Sequence, residues 1–74
     1  MTTEQVNFII KEVKERATNH HVDVRIRFKG TDKYQDAMLS QIAYSQAVAD
    51  LLICTFPDST MYIDIDSINI IEML

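Results

Sequence analysis

The sequence predicts an α+β fold in which an N-terminal helix packs on a small, mainly antiparallel sheet. Two observations carry that reading. Apolar residues recur at helical spacing over the first part of the chain, and strict apolar–polar alternation occurs twice later, over 22–28 and 60–66. A third stretch, 33–50, leaves an alternative open: a second helix there, with a sheet of about three to four strands.

The helix is expected over residues 3–18. Thr2 and Gln5 form a Thr-x-x-Gln capping box, and Glu4 places negative charge in the first turn, where the helix dipole favours it. Val6, Ile9, Ile10, Val13 and Ala17 share one stripe, and Glu12 precedes Arg16 at the spacing of a favourable ion pair. Phe8 lies nearly opposite that stripe. It is either a surface aromatic, a residue covered by a later loop, or a contact with a partner chain.

In 22–28, Val22, Val24, Ile26 and Phe28 face one side and Asp23, Arg25 and Arg27 the other, as in a half-buried strand. Lys29-Gly30-Thr31-Asp32 holds the only glycine and reads as a turn. The segment 33–50 pulls both ways. Its alanines and glutamines favour a helix, and Asp32 with Gln35 resembles a second capping pattern. As a strand, Met38, Ile42 and Tyr44 share a face, with Ser40 interrupting and 45–50 serving as a connection without Gly or Pro.

The run 51–56 is apolar on both faces, so something is expected against each side. Pro57-Asp58-Ser59 is a turn. Beyond it, Met61, Ile63 and Ile65 point inward, and Tyr62, Asp64 and Asp66 outward. The end of the chain, 67–74, is expected as a last strand with Ile68, Ile70 and Glu72 inward, or as a short helix capped by Asp66 or Ser67.

Seventy-four residues make one domain, 1–74, near the lower limit for a self-sufficient core, so a second chain is a natural source of extra buried surface. The net charge of −4 disfavours direct binding to nucleic acid or anionic membranes and suits a basic partner. The single cysteine excludes an internal disulfide. With no long apolar run and no signal pattern, a cytoplasmic setting is expected, or the host cytoplasm if the source is viral.

The isoleucines of YIDIDSINII, Ile63, Ile65, Ile68 and Ile71, form a pattern that resembles small Sm-like and SH3-like β-barrels with an N-terminal helix. The resemblance spans about residues 4–73 and implies one tight helical turn between the last two strands, begun at Asp66-Ser67. It also implies rings or dimers formed by pairing strand edges. Two departures stand out. Ala37 occupies the place of the family's second-strand glycine, with Leu39 at the following apolar position, and the uridine-binding Asp and Asn positions fall near Ala43 and Ala47. The family's RNA-binding loop chemistry is therefore missing.

No residue pattern indicates catalysis. Asp64 and Asp66, with Asp58 nearby, would project from one strand face, where they either meet a divalent cation or simply guard an edge. Arg25, Arg27 and Lys29 are in phase and suit a phosphate or carboxylate ligand, or ion pairs with Asp64 and Asp66. His20-His21 ends the helix as a poor metal pair, and Cys54 in an apolar strand reads as inert packing. Neither a metal nor a cofactor is expected.

The functional expectation is a non-enzymatic, self-associating binding module acting through protein–protein contacts. Its ligand or partner surface would comprise Arg25, Arg27, Lys29, Tyr62, Asp64 and Asp66, and its interface Phe8, Leu51 and Ile53. The alternative, argued from class rather than from a residue match, is a phage-type inhibitor of host defence. It would sequester a nucleotide-like, phosphorylated ligand or block a nucleic-acid-binding enzyme.

Overall fold

The structure, a computed structural model, describes residues 1–17 and 22–74. Helix α1 spans Thr3–Arg16 and opens as the capping box requires: the Thr2 side chain accepts from the Gln5 amide at 3.1 Å, and the Gln5 side chain accepts from the Thr2 amide at 2.9 Å. Ala17 closes the helix in extended conformation, a little short of the expected end. The apolar stripe is seated as expected, with Val6, Ile10 and Val13 buried.

Six strands follow among the described residues: β1 (Asp23–Phe28), β2 (Tyr34–Met38), β3 (Ile42–Tyr44), β4 (Leu51–Thr55), β5 (Thr60–Asp64) and β6 (Ile68–Met73). They form two antiparallel three-stranded sheets, ordered β2-β1-β6 and β3-β4-β5. Among the described residues the sheets do not close into a barrel. The fold is α+β, one helix with two small antiparallel sheets.

The second helix entertained for 33–50 is absent. Backbone pairing overrides the composition: Arg25 faces Asp36, and Val24 faces Ala37, across the β1–β2 register. Ser40 marks the break between β2 and β3, where a 3-10 turn at Leu39–Gln41 carries the chain from one sheet to the other. The Gln41 side chain closes this turn by accepting from the Met38 amide at 2.9 Å, and buried Leu39 pins it to the core. Asp32 and Gln35 therefore cap no helix.

The connection from β3 to β4 manages without glycine in a definite way. Ser45 Oγ accepts from the amides of Ala47 at 3.3 Å and Val48 at 3.0 Å. Asp50 then takes φ +59°, a left-handed conformation that aspartate tolerates better than most residues. The one glycine, Gly30, has φ +70° in the β1–β2 turn.

The last strand departs from simple alternation. Arg27 faces Ile70 while Phe28 faces Ile68, so Asn69 is an extra residue in a β-bulge. Ile68 is buried and Ile71 packs against the core, whereas Ile70 is exposed and Glu72 joins the outer face. Of the expected inward set of Ile68, Ile70 and Glu72, only Ile68 faces inward, because the bulge shifts the phase of the other two. The tight turn of Ile65–Ser67 precedes β6, but Asp64 caps it, accepting from the Asp66 amide at 3.1 Å.

A continuous buried cluster joins all three layers: Val6, Ile10 and Val13 from α1, Val24 and Ile26 from β1, and Leu52, Cys54 and Ile63 from β4 and β5. Ile65 and Ile68, from the spaced-isoleucine pattern, are at 1% and 0% exposure, so that pattern encodes core contacts. Truncating one such residue to alanine typically costs about 2–5 kcal/mol. A domain of this size holds only about 4–11 kcal/mol in total.

Candidate functional site

The outer face of the β2-β1-β6 sheet gathers the charged residues. β1 is its middle strand, so each arginine lies between two neighbours: Arg25 opposite Asp36 and Glu72, Arg27 opposite Tyr34 and Ile70. Arg25 makes a two-pronged pair with Asp36, at 2.8 and 3.0 Å, and its guanidinium sits 4.0 Å from the centre of the Tyr34 ring. Arg27 pairs with Glu72 and lies 5.5 Å from the same ring. The hydrogen-bonded guanidinium of Arg25 holds the Asp36 carboxyl below its usual range, and Asp36 in turn keeps Arg25 more firmly protonated.

Both arginines thus have partners, and those partners are Asp36 and Glu72, not the expected Asp64 and Asp66. A phosphate would have to displace a carboxylate from each. Lys29 stands apart at the strand end, with Nζ 4.0 Å from Asp66 Oδ1, and both groups are well exposed. Such a pair contributes little.

The acidic cluster is likewise dispersed. Asp64 ends β5 and caps the following turn, while Asp66 lies within that turn, so the two do not share a strand face. No group of three His, Cys, Asp or Glu residues able to hold a metal occurs among the described residues. His20 and His21 lie outside the described residues. Cys54 is fully buried, and burial pushes its thiol pKa up, away from the reactive thiolate. The described helix is neither long nor apolar enough to cross a membrane.

The expected interface residues fall in different places. On the outer face of the β3-β4-β5 sheet, Ile53 is half-buried between Ala43 and Tyr62, and Tyr62 is 65% exposed. Leu51 is half-buried at the start of β4. Phe8, also 65% exposed, is covered by no loop among the described residues; it borders a groove of about 780 Å³ that also involves Ile9, Lys29, Ile68 and Asn69. Tyr62, Ile70, Met73 and Leu74 are all exposed, and all lie on β5, on β6 or just after it.

No family model, curated protein or solved structure matches this chain. Its own geometry has to supply the functional reading.

One feature was not singled out from the residues alone. Tyr44 points inward from β3, opposite buried Leu52, and its hydroxyl is buried without a hydrogen-bond partner among the described residues. Burial raises its pKa. Tyr44 lines a crevice of about 350 Å³ between the first turns of α1, the 45–50 loop and the turn before β6. The available signal was the inward phase of Met38, Ile42 and Tyr44: a tyrosine placed with apolar residues must bury its oxygen or find it a partner.

Proposed function

We propose that this chain is a non-enzymatic, self-associating binding module that works through protein–protein contacts. The observation that carries the reading is where four of the seven exposed large apolar side chains among the described residues lie, the others being Phe8, Tyr34 and Val48. Tyr62, Ile70, Met73 and Leu74 sit on or beside β5 and β6, and each of these strands has a single neighbour in its sheet among the described strands. Their outer edges offer unpaired backbone donors and acceptors next to apolar side chains, the usual setting for strand pairing with another chain. Phe8 extends the apolar surface alongside the groove that Ile68 and Asn69 border.

The Sm-like or SH3-like reading belongs to the same proposal. It is supported by the order of the two sheets, by the bend from β2 to β3, and by the 3-10 turn linking β5 to β6. The non-catalytic side rests on the engaged arginines and the sealed thiol. No specific observation favours the inhibitor reading, because Asp36 and Glu72 already occupy the groups that would hold a phosphorylated ligand.

Sedimentation equilibrium across micromolar to millimolar concentration tests the proposal. A mass at least twice the 8.6 kDa of the monomer is expected, falling when Ile70→Lys charges the β6 surface. A wild-type mass that stays at 8.6 kDa throughout would overturn it.

A further inference from the structure

The strand edges left open by the two sheets are not equivalent. Pairs along an antiparallel ladder alternate between hydrogen-bonded and non-bonded, so one bond fixes which amides of a strand face outward. On β2 the Leu39 amide donates to the Val22 carbonyl at 2.9 Å, which turns the backbone groups of Asp36 and Met38 outward. Nearby side chains already engage them: Gln35 Nε2 donates to the Asp36 carbonyl and the Gln41 side chain accepts from the Met38 amide, each at 2.9 Å. β3 is only three residues long. On β5 the Ser67 hydroxyl donates to the Asp64 carbonyl at 2.6 Å, and the strands of that sheet carry no lysine or arginine to offset Asp64.

β6 is different. The Leu74 amide donates to the Asp23 carbonyl at 2.9 Å, so Glu72 and Ile70 bond toward β1 while the backbone groups of Ile71 and Met73 face outward. Among the described residues no backbone partner is bonded to those outward groups. From this edge we infer that two copies of the chain join through β6, antiparallel about a two-fold axis at Ile71, into one six-stranded sheet; the pairing rests on the self-association already proposed. An axis at Glu72 would set two carboxylates directly opposite each other. An axis at Ile70 would run Met73 onto Ser67, whose carbonyl already receives the Lys29 amide at 2.9 Å.

With the axis at Ile71, Ile70 lies opposite Glu72 of the second copy. The row across the outer face then reads Tyr34, Arg27 and Ile70, followed by Glu72, Arg25 and Asp36 of the second copy, with no two like charges adjacent. Met73 of the second copy comes opposite Asn69, at the rim of the groove that Phe8 and Ile9 line, which gives an exposed methionine an apolar place to lie.

The test combines sedimentation equilibrium with isotope-filtered NMR on an equimolar mixture of labelled and unlabelled full chains. A dimer is expected, with intermolecular Overhauser effects between the α-protons of Ile70 and Glu72, whose α-carbons this register brings about 4.5 Å apart. Ile70→Lys and Ile70→Asp both lose the isoleucine, but only the aspartate stands opposite a carboxylate. It should raise the dissociation constant at least about threefold above that of the lysine variant. Intermolecular effects confined to β5, or linking β5 to β6, overturn this pairing and leave self-association standing, as does an aspartate variant that associates as well as the lysine variant. A wild-type mass that stays at 8.6 kDa overturns both.

Discussion

Replacing Tyr44 with phenylalanine should make the protein more stable. The ring of Tyr44 packs against the central cluster, and phenylalanine retains that contact. What is lost is a hydroxyl that is buried and unpaired. A group of this kind costs about 1–3 kcal/mol in the folded state, because unfolding returns it to water. Taking the lower end, a gain of about 1 kcal/mol corresponds to a rise in Tm of roughly 4–8 °C for a domain of this size. Thermal and urea unfolding followed by far-ultraviolet circular dichroism would measure it, with an unchanged urea m-value showing that stability alone has moved. A second signature lies at high pH. Burial raises the Tyr44 pKa above its usual 10.0, so above about pH 10 the unfolded chain ionises first and stability falls; the phenylalanine variant should lose that part of the fall. A Tm for Tyr44→Phe equal to or below wild type would refute the reasoning, since it would mean the hydroxyl gains a partner in solution.

Two further expectations concern titrating groups. Cys54 should react with a thiol reagent at neutral pH only as fast as the protein unfolds, and labelling at the rate of a free thiol would contradict its burial. Its raised pKa leaves stability unaffected well below pH 9.0; as pH rises past that value the unfolded thiol ionises while the buried one does not, so Cys54→Ala should flatten the alkaline decline despite lowering stability overall. The Asp36 carboxyl shows the opposite sign. Its pKa is lowered from 3.8, so the Arg25–Asp36 contribution is present above about pH 4 and is lost as pH falls further. Urea midpoints measured between pH 2 and 7 should therefore fall less steeply on the acid side for Asp36→Asn, and identical slopes would contradict the pairing.

The parts of the fold legible in the sequence were those set by local rules. Thr2 and Gln5 announce the helix start because a capping box is satisfied within one turn, and alternation around Arg25 and around Tyr62 announces β1 and β5 because one face of each is apolar. The region around Ala37 was ambiguous for a physical reason. Alanine favours helix in isolation, but at this position it is buried opposite Val24 in a sheet. The 45–50 connection contains neither Gly nor Pro; Ser45 and Asp50 make it with a side-chain cap and a left-handed aspartate. The pairing of Arg25 and Arg27 with acids was anticipated in kind but not in identity, since Asp36 and Glu72 become neighbours only through register. Glu72 was assigned inward, and a bulge invisible in the pattern moved it out.

That bulge also governs where the chain can change length. Removing Asn69 would leave Ile68 opposite Phe28 and Ile71 opposite Ile26, so every side chain of β6 would keep its present side. Loss of a residue within β5 has no such outlet. The frame between Tyr62 and Ile63 would invert, turning an isoleucine of 4% exposure toward solvent. The C-terminal strand thus holds one residue of slack, and the strand before it holds none.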